Sequence, residues 1–375
     1  MIIGKLFALV KTKKRFYNIK ERKGNMRKRM IKRVWFIGVP LLLLCSLFLF
    51  MGAGKEESAS GEKIGEKFDI EFAVVPKSLD NPVFFATKAG AEVAAEELGI
   101  NLIYTGPVAD ESSEAARIVE DLINRGVDGI AVSVSNAESM TPIIKQAYDK
   151  NIPVITWDSD APTSKRSIYY GSPNFEIGEL VANYLAEALG KKGKVAIFQV
   201  LVGHPNLDER YEGMVATFKK YPNIEVVQRF TTTAIEIVLA VDAVESYIAA
   251  HPEIDGLATT TGFPWWGNIG SMPSVVDRVK KGSLKCVGVD PLPAAIEYVE
   301  KDILYACIGQ RFYEMGYGGV RLLASLAVSE PLNRFLIEHP LIMSSGLDVV
   351  TKTGRAGTIS SADYKKLWAE WEAKK

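Results

Sequence analysis

Cysteine and histidine are scarce in this 375-residue chain, which holds three of each. Cys45 lies in an apolar run near the N-terminus, whereas Cys286 and Cys307 lie in apolar, strand-like runs. There is no CxxC pair and no cysteine–histidine cluster, so we predict no metal site. Buried free thiols are the favoured interpretation of Cys286 and Cys307, although an exported protein permits a disulfide.

Two signatures of enzymatic chemistry are also absent. The chain contains no phosphate-binding GxxxxGK[ST] loop and no Gly-x-Ser-x-Gly nucleophile elbow. We therefore predict no cofactor, no catalytic residue and no enzymatic activity. A glycosidase stays open as an alternative, because it needs paired carboxylates that face one bond.

The net charge of zero conceals charge that is sorted along the sequence. Residues 1–33 carry 13 Lys/Arg and one acid, and residues 34–54 carry no charge at all. Residues 55–375 therefore hold 32 basic and 44 acidic residues, a net charge of −12. A folded part this acidic is not expected to bind nucleic acid or an anionic membrane through bulk charge.

The basic and apolar segment 1–54 predicts export. Gly52 and Gly54 suit cleavage after Gly54, and Cys45 is a candidate lipid-attachment residue. The apolar run of about 20 residues is also long enough to stay as a membrane anchor. The polar stretch 55–67 is interpreted as a tether. We predict a location in the periplasm or at the outer face of the cytoplasmic membrane, and the anchoring mode stays open.

Beyond the tether, short β-branched segments alternate with longer helical ones. The helix at 82–98 opens with Asn81 as its cap and Pro82 at its first position, and it closes before Gly99. Apolar strands without strict alternation predict parallel sheets covered on both faces, and about ten strands exceed one comfortable sheet. We predict an α/β fold of two Rossmann-like lobes. The candidate strands are 70–75, 101–105, 127–133, 152–157, 168–171, 195–200, 224–229, 256–260, 285–289 and 303–308.

Polar side chains recur just after the predicted strands, where ligands of open α/β sheets bind. Planar polar groups match the neighbouring hydroxyls of a polyol with paired hydrogen bonds, and aromatic rings match the C–H face of a sugar. A neutral polyol is the ligand that this set suits best. The polar members are Asn81, Asp158, Arg210, Asp290 and Gln310.

Each candidate also has a purely structural interpretation. Asn81 can be only a helix cap, and the two aspartates can cap the helices that follow them. Phe85 suits core packing, and Arg210 suits a solvated surface. Their shared position at the same ends of strands favours a binding site.

The order of these elements resembles the pentose/hexose family of type I periplasmic binding proteins, the ribose- and galactose-binding proteins of ABC importers. The similarity covers roughly residues 68 to 350. Five separate motifs in the right order make it specific, although each alone is weak. Each family pattern has a counterpart in this chain. The pattern "NNPFF" corresponds to DNPVF at 80–84, "ITLD" to ITWD at 155–158, "ERGEG" to ERYEG at 209–213, "VGFD" to VGVD at 287–290 and "IAQ" to IGQ at 308–310.

The resemblance implies a set of sugar contacts and also shows departures. Val83 stands where the family's first ring is expected, Thr261 replaces a hydrogen-bonding asparagine, and Ser159 replaces an arginine. These departures favour a related sugar or polyol over ribose itself. The implied contacts are Asn81, Phe84, Asp158, Arg210, Asp290 and Gln310, to which we add Thr261 and the further candidates Ser78, Phe85, Trp265 and Trp266.

The resemblance also implies the architecture and the partners. Two lobes joined by a three-crossover hinge would close on a ligand in the cleft between them, and an ABC permease would recognise the closed form. The expected lobes are 68–172 plus 311–342 and 173–310 plus 343–375. The protein is expected to be a monomer that does not bind nucleic acid.

Other functions are compatible with this fold. A membrane-tethered sugar sensor read by a chemoreceptor or a kinase would have the same lobes and the same site. A sugar-responsive repressor would need a DNA-binding helix-turn-helix where this chain has its export segment. For a glycosidase, Asp158 and Asp290 would have to converge from the two lobes.

Overall fold

The computed structural model describes residues 69–354 and 357–372 of the chain. The predicted targeting segment 1–54, which contains Cys45, and the tether 55–67 lie outside these residues. Within the described ranges, no helix is both long enough and apolar enough to cross a membrane.

The described residues form thirteen strands, which include all ten predicted from the sequence. The three missed strands follow residue 340 and are short. The bounds are β1 Glu71–Val75, β2 Asn101–Tyr104, β3 Gly129–Val132, β4 Val154–Thr156, β5 Ile168–Gly171, β6 Lys192–Gln199, β7 Asn223–Thr231, β8 Gly256–Thr259, β9 Lys285–Val289, β10 Leu304–Gln310, β11 Leu341–Ser344, β12 Leu347–Thr351 and β13 Ile359–Ser360.

Helices follow most of these strands. Gly99 and Gly126 close the first two helices in the left-handed conformation that glycine adopts without strain. The α-helices are α1 Val83–Leu98, α2 Ser112–Arg125, α3 Ala137–Asp149, α4 Asn174–Ala188, α5 Pro205–Phe218, α6 Ile237–Ala250, α7 Pro273–Lys280, α8 Pro293–Glu300, α9 Phe312–Ala327, α10 Glu330–Glu338 and α11 Ser361–Glu372, with short 3-10 helices at Phe263–Trp266 and Ile269–Ser271.

The strands form two sheets of matching order. In the first lobe β2, β1, β3, β4 and β5 lie side by side, with β11 added beyond β5, and all pairings are parallel. In the second lobe β7, β6, β8, β9 and β10 repeat this order, extended by β12 and β13. The antiparallel pairing of β12 with β10 is the exception among the described strands. The predicted α/β fold with two parallel-sheet lobes is therefore confirmed.

Each sheet is covered on both faces, which explains its continuous apolar strands. Phe72 and Val74 of β1 enter one core cluster, whereas the intervening Ala73 and Val75 enter another on the opposite face. Strand β6 does the same in the second lobe. Burial on both faces leaves the strand no solvent side, so the sequence shows no period-two pattern.

The two buried cysteines lie in the second lobe. Cys286 in β9 and Cys307 in β10 are both free thiols, as the favoured interpretation predicted. Burial raises the pKa of the Cys307 thiol well above its ordinary value, and the nearby Asp290 carboxylate adds to this rise. The thiols therefore behave as small apolar core groups.

The chain passes from one sheet to the other three times. It leaves the first sheet after β5, returns to it after β10, and leaves it again after β11. The expected last crossing at 342/343 is wrong by two residues, because Met343 and Ser344 still pair with β5. Backbone pairing at the sheet edge continues to Ser344, so the chain crosses at residues 345–346.

Each lobe contains one pair of helices in unusually close contact. A Cβ at Gly178 of α4 would lie 2.1 Å from the Arg210 carbonyl oxygen in α5, and one at Gly213 of α5 would lie 2.1 Å from the Phe175 carbonyl oxygen. In the first lobe, Gly90 and Gly316 make the equivalent contacts between α1 and α9. Only glycine permits this backbone approach.

Candidate functional site

A cavity of about 50 Å³ lies between the lobes at the carboxyl ends of both sheets. This is well below the roughly 300–1,000 Å³ of ligand pockets, so the lobes have to separate to admit a ligand of sugar size. Its lining residues are Lys77, Asn81, Val83, Phe84, Asp110, Asp158, Val200, His204, Asn206, Leu207, Arg210, Ile235, Thr261, Phe263, Trp266, Asp290, Gln310 and Phe312.

The cavity brings together most of the side chains named from the sequence. The seven main candidates and one further candidate all line it: Asn81, Phe84, Asp158, Arg210, Thr261, Asp290, Gln310 and Trp266. Asn81 also accepts a hydrogen bond from the Val83 backbone N–H (3.2 Å), so it holds the start of α1 as well. Helix α1 begins at Val83 and not at Pro82, since Pro82 is itself the N-cap.

Three further candidates lie outside the lining. The Phe85 side chain is 43% exposed, because the next position of helix α1 turns away from the cleft. Trp265 is fully buried in the second lobe, where its Nε1 donates to Thr259 Oγ1 (2.8 Å). Ser78 is buried just after β1 but does not line the cavity.

Asp158 is the centre of the first-lobe half of the site. It is a non-glycine residue with a φ of 58°, which is rare and costs roughly 1–3 kcal/mol. Tyr169 Oη donates to its backbone oxygen (3.0 Å) and Ser133 Oγ donates to its carboxylate (2.7 Å). The Lys77 ammonium lies 3.3 Å from the same carboxylate oxygen. These contacts hold the buried carboxylate at the end of β4, aimed into the cleft.

Asp290 occupies the equivalent place in the second lobe. It follows β9 with a φ of 60°, and Trp266 Nε1 donates to its backbone oxygen (3.0 Å). The Gln310 amide donates to its carboxylate (2.7 Å). Burial raises the pKa of Asp290 above its ordinary value, although the Arg210 guanidinium and the Gln310 amide both oppose the rise.

Arg210 is buried within the second lobe and connects its polar groups. Its guanidinium donates to the Asn174 side-chain oxygen (2.9 Å), the Thr260 backbone oxygen (3.0 Å) and the Gln310 side-chain oxygen (2.8 Å). The surface interpretation of Arg210 is therefore wrong. A guanidinium this well bonded cannot swing away, so it presents a fixed positive edge to the cleft.

Aromatic rings supply the apolar surfaces of the cavity. Phe84 makes edge contacts with Trp157 and Phe312, with ring centroids 5.2 and 5.9 Å apart. From the second lobe, Trp266 and Phe263 lie 4.7 Å apart at a tilt of 36°. Rings in the two lobes therefore border one polar cavity, as a sugar with apolar C–H faces requires.

Lys77 and Asn206 are cleft residues that the sequence interpretation missed. Lys77 Nζ in the first lobe donates to Asn206 Oδ1 in the second (2.9 Å), and Asn206 Nδ2 donates to an Asp158 carboxylate oxygen (3.3 Å). The side chains thus join the lobes directly. Lys77 lies just after β1, so its position at a strand end was the available signal.

His204 and Asp110 form a second contact across the cleft, with 3.8 Å between Nδ1 and a carboxylate oxygen. Asp110 also accepts a short hydrogen bond from Ser135. Burial, followed by the nearby Lys77 cation, lowers the pKa of His204, whereas Asp110 acts in the opposite direction. The N-terminal end of helix α5 therefore directs two side chains towards the first lobe: Asn206 in its first turn and His204 just before the helix.

The site can hold a neutral, hydroxyl-rich molecule through many directed hydrogen bonds. Its buried cations, Lys77 and Arg210, stand beside its buried carboxylates, Asp158 and Asp290. A charged ligand would bring one further charge into a site whose buried charges already have partners, at a cost of several kcal/mol. Among residues 69–354 and 357–372, no group of three or more His, Cys, Asp or Glu side chains could hold a metal ion.

Comparison with known proteins agrees with this geometry. A family model described as "Periplasmic binding protein domain" matches residues 72–331. The xylose/arabinose-binding protein of Sulfolobus acidocaldarius is 25% identical over 300 residues, which cover 76% of this chain and 72% of that protein. The D-allose-binding periplasmic protein of Escherichia coli is 25% identical over 262 residues, 68% of this chain and 83% of that protein.

Solved structures give the same result. A solute-binding protein of an ABC transporter from Burkholderia graminis, in complex with D-arabinose, is 32% identical with a TM-score of 0.68, covering 76% of this chain and 96% of that one. This family consists of substrate-binding proteins and not enzymes, which agrees with the prediction of no enzymatic activity. The chain therefore belongs to the type I periplasmic sugar-binding proteins of ABC importers, the family that its sequence resembles.

Proposed function

We propose that this protein captures one monosaccharide or related polyol between its two lobes outside the cytoplasm and delivers it to an ABC permease. Relatives bear names such as "Ribose import binding protein" and "Xylitol-binding protein". Neutral five- and six-carbon sugars and their polyols are therefore the candidate ligands.

One observation carries the proposal: Asp158 and Asp290 face the same cavity from the ends of equivalent strands, β4 and β9. Each carboxylate accepts hydrogen bonds from neighbours and keeps capacity to accept more from sugar hydroxyls. A ligand bonded to both aspartates touches both lobes at once. It binds the closed form better than the open one and so shifts the population towards closure.

Aromatic rings from both lobes contact the ligand. Phe84 contributes from the first lobe and Trp266 from the second, while Val83 leaves space where the family carries a ring. Thr261 offers one hydroxyl in place of an amide. We therefore favour a ligand other than ribose, and among the relatives the arabinose, xylose, allose and xylitol binders indicate the range to test.

Delivery and location complete the proposal. The segment 1–54 exports the chain, and residues 55–67 tether the lobes outside the membrane. Cys45 is the proposed site of lipid attachment if the leader is processed there. The protein acts as a monomer, because both halves of the site come from one chain. A sensor that uses the same site differs only in the receptor that recognises the closed form.

The test is a thermal-shift screen of the full-length protein, followed by calorimetry on each hit. The panel contains D-arabinose, D-xylose, D-ribose, D-allose, D-galactose and xylitol, with ribose 5-phosphate as a charged control. We expect at least one neutral member to raise the melting temperature, because it binds only the folded state. Asp80→Ala, an exposed change beside the cleft, serves as the control variant. Failure of every neutral sugar and polyol, with the protein folded, would contradict the proposal.

A further inference from the structure

The C-terminal helix α11 packs against both lobes behind the cleft. Its Tyr364 is buried with Ile296 and Val350 in a core cluster of the second lobe. One turn further on, Trp368 packs against the first-lobe cluster that contains Phe84. Lys365 and Glu300 of α8 form an ion pair (2.6 Å) that fixes the helix to the second lobe.

The helix touches the binding residues from the side that faces away from the ligand. A small cavity of about 10 Å³ lies beneath Tyr364 and Trp368. Four residues line both this cavity and the ligand cleft, and so form the partition between them. They are Val83, Asp290, Gln310 and Phe312.

Strand β10 is shaped to accept the helix. A methyl group at Gly309 would lie 3.2 Å from Tyr364 Oη and 3.2 Å from Pro291 Cγ, closer than most real contacts of a Cβ. The family pattern quoted for this stretch has alanine here, and this chain has glycine directly before Gln310. The backbone at Gly309 therefore determines both where Tyr364 packs and where Gln310 lies.

We propose that helix α11 is a positioning element of the sugar site, in which Tyr364 and Trp368 hold Asp290 in its binding geometry from behind. The proposal rests on the sugar-binding function proposed above. A side chain that separates two cavities can move into either of them. Close packing on the side away from the ligand prevents that movement. The helix also links the lobes, since its Trp368 joins the first-lobe core while Tyr364 joins the second.

The experiment is a double-mutant cycle on the full-length protein, with the best sugar of the panel as the probe. Trp368→Ala is expected to weaken binding about tenfold through faster sugar release, and Trp368→Phe to restore most of it. In an Asp290→Asn background the loss shrinks to about twofold, because the positioned carboxylate is gone. In an Asp158→Asn background the full loss persists. Glu370→Ala, an exposed change on the same helix, is the matched control.

Additive losses in the Asp290→Asn background, or wild-type affinity of Trp368→Ala, would overturn the inference. If Trp368→Ala does not fold, Gly309→Ala takes its place, because its methyl group presses on Tyr364 without emptying the core. A wild-type protein that binds no member of the panel refutes the proposed function and this inference together. Normal wild-type binding with an insensitive helix refutes the inference alone.

Discussion

Each lobe places one strand-end aspartate at the cleft, but the two lobes stabilise it differently. Asp158 and Asp290 both adopt a left-handed backbone at the end of the fourth strand of the repeated order, and an aromatic side chain donates to the backbone oxygen of each. The second-lobe aspartate accepts from Gln310, which itself accepts from Arg210 of the same lobe. The first-lobe aspartate takes one of its bonds from Asn206 across the cleft.

This difference assigns different roles to the two halves. We expect the second-lobe half to be complete before closure, because the bonded residues Asn174, Arg210, Gln310 and Asp290 all lie on one side of the cleft. The first-lobe half is completed only when helix α5 approaches and brings Asn206 to Lys77 and Asp158. We expect the sugar to bind first to the second lobe, whose polar groups are already in place. The first lobe then closes on it.

The largest expected effect comes from removing the first-lobe carboxylate. Asp158→Ala leaves the buried Lys77 ammonium without its partner, which costs about 3 kcal/mol of folding free energy. Sugar binding weakens at least about tenfold, since hydroxyls and their partners stay unpaired. Denaturant unfolding and calorimetry measure the two losses. Asp80→Ala is the control, and wild-type affinity for Asp158→Ala would refute the role of this residue.

Asp290→Asn should separate binding from stability. Folding raises the pKa of Asp290, so the ionised carboxylate destabilises the folded state at neutral pH, and this cost disappears as the pH falls through the folded pKa. The amide removes the cost, so the sugar-free melting temperature rises while affinity falls about tenfold. Scanning calorimetry with and without sugar measures both changes. A lower melting temperature for the variant would contradict the contrast between the lobes.

Asn206→Ala tests the contact across the cleft. It removes one hydrogen-bond acceptor of Lys77 and one donor to Asp158, so we expect affinity to fall about fivefold, mainly through faster dissociation. Stopped-flow release of sugar measures the rate. The control is Asn183→Ala, an exposed asparagine on α4 of the second lobe. An unchanged release rate would mean that the first-lobe half does not depend on closure.

His204→Gln is expected to have the smallest effect, which is visible as a pH dependence. Burial and Lys77 lower the pKa of His204 below 6.5, against the opposing carboxylates of Asp110, Asp208 and Asp158. The folded state therefore binds this proton less well than the unfolded state, and stability is lost as the pH falls below about 6.5. The glutamine variant should lose less melting temperature between about pH 7.5 and about pH 5. The exposed His339→Gln serves as control, and an equal loss in all three proteins would refute the role of His204.

The positions of β1 to β10 along the chain and the polar ends of β1, β4, β9 and β10 could be predicted from the sequence, because local patterns mark them. Apolar runs covered on both faces are recognisable, and so is a polar residue that follows each of them. The strands β11, β12 and β13 were missed because their pairing depends on the rest of each sheet. The local sequence of Ile342 and Met343 does not specify which sheet edge they join.

The contacts between distant residues could not be predicted. Lys77 and Asn206 are 129 positions apart, and their hydrogen bond exists only because the lobes face each other. The burial of Arg210 likewise depends on Asn174 and Gln310, which belong to other elements. The predicted side chains at strand ends line the cavity, whereas Phe85, whose direction depends on helix rotation, does not.

The glycine contact between α4 and α5 separates what can vary in this protein from what cannot. Gly178 lies against the carbonyl oxygen of Arg210, so even alanine there would push apart the helix pair that carries the arginine. Val83 and Thr261 line the cleft without any such backbone contact, and they are the positions to randomise in a library for new sugar reporters. Substitutions on the cleft surface can thus change the sugar specificity of such a protein, while the closely packed helix pair stays the same.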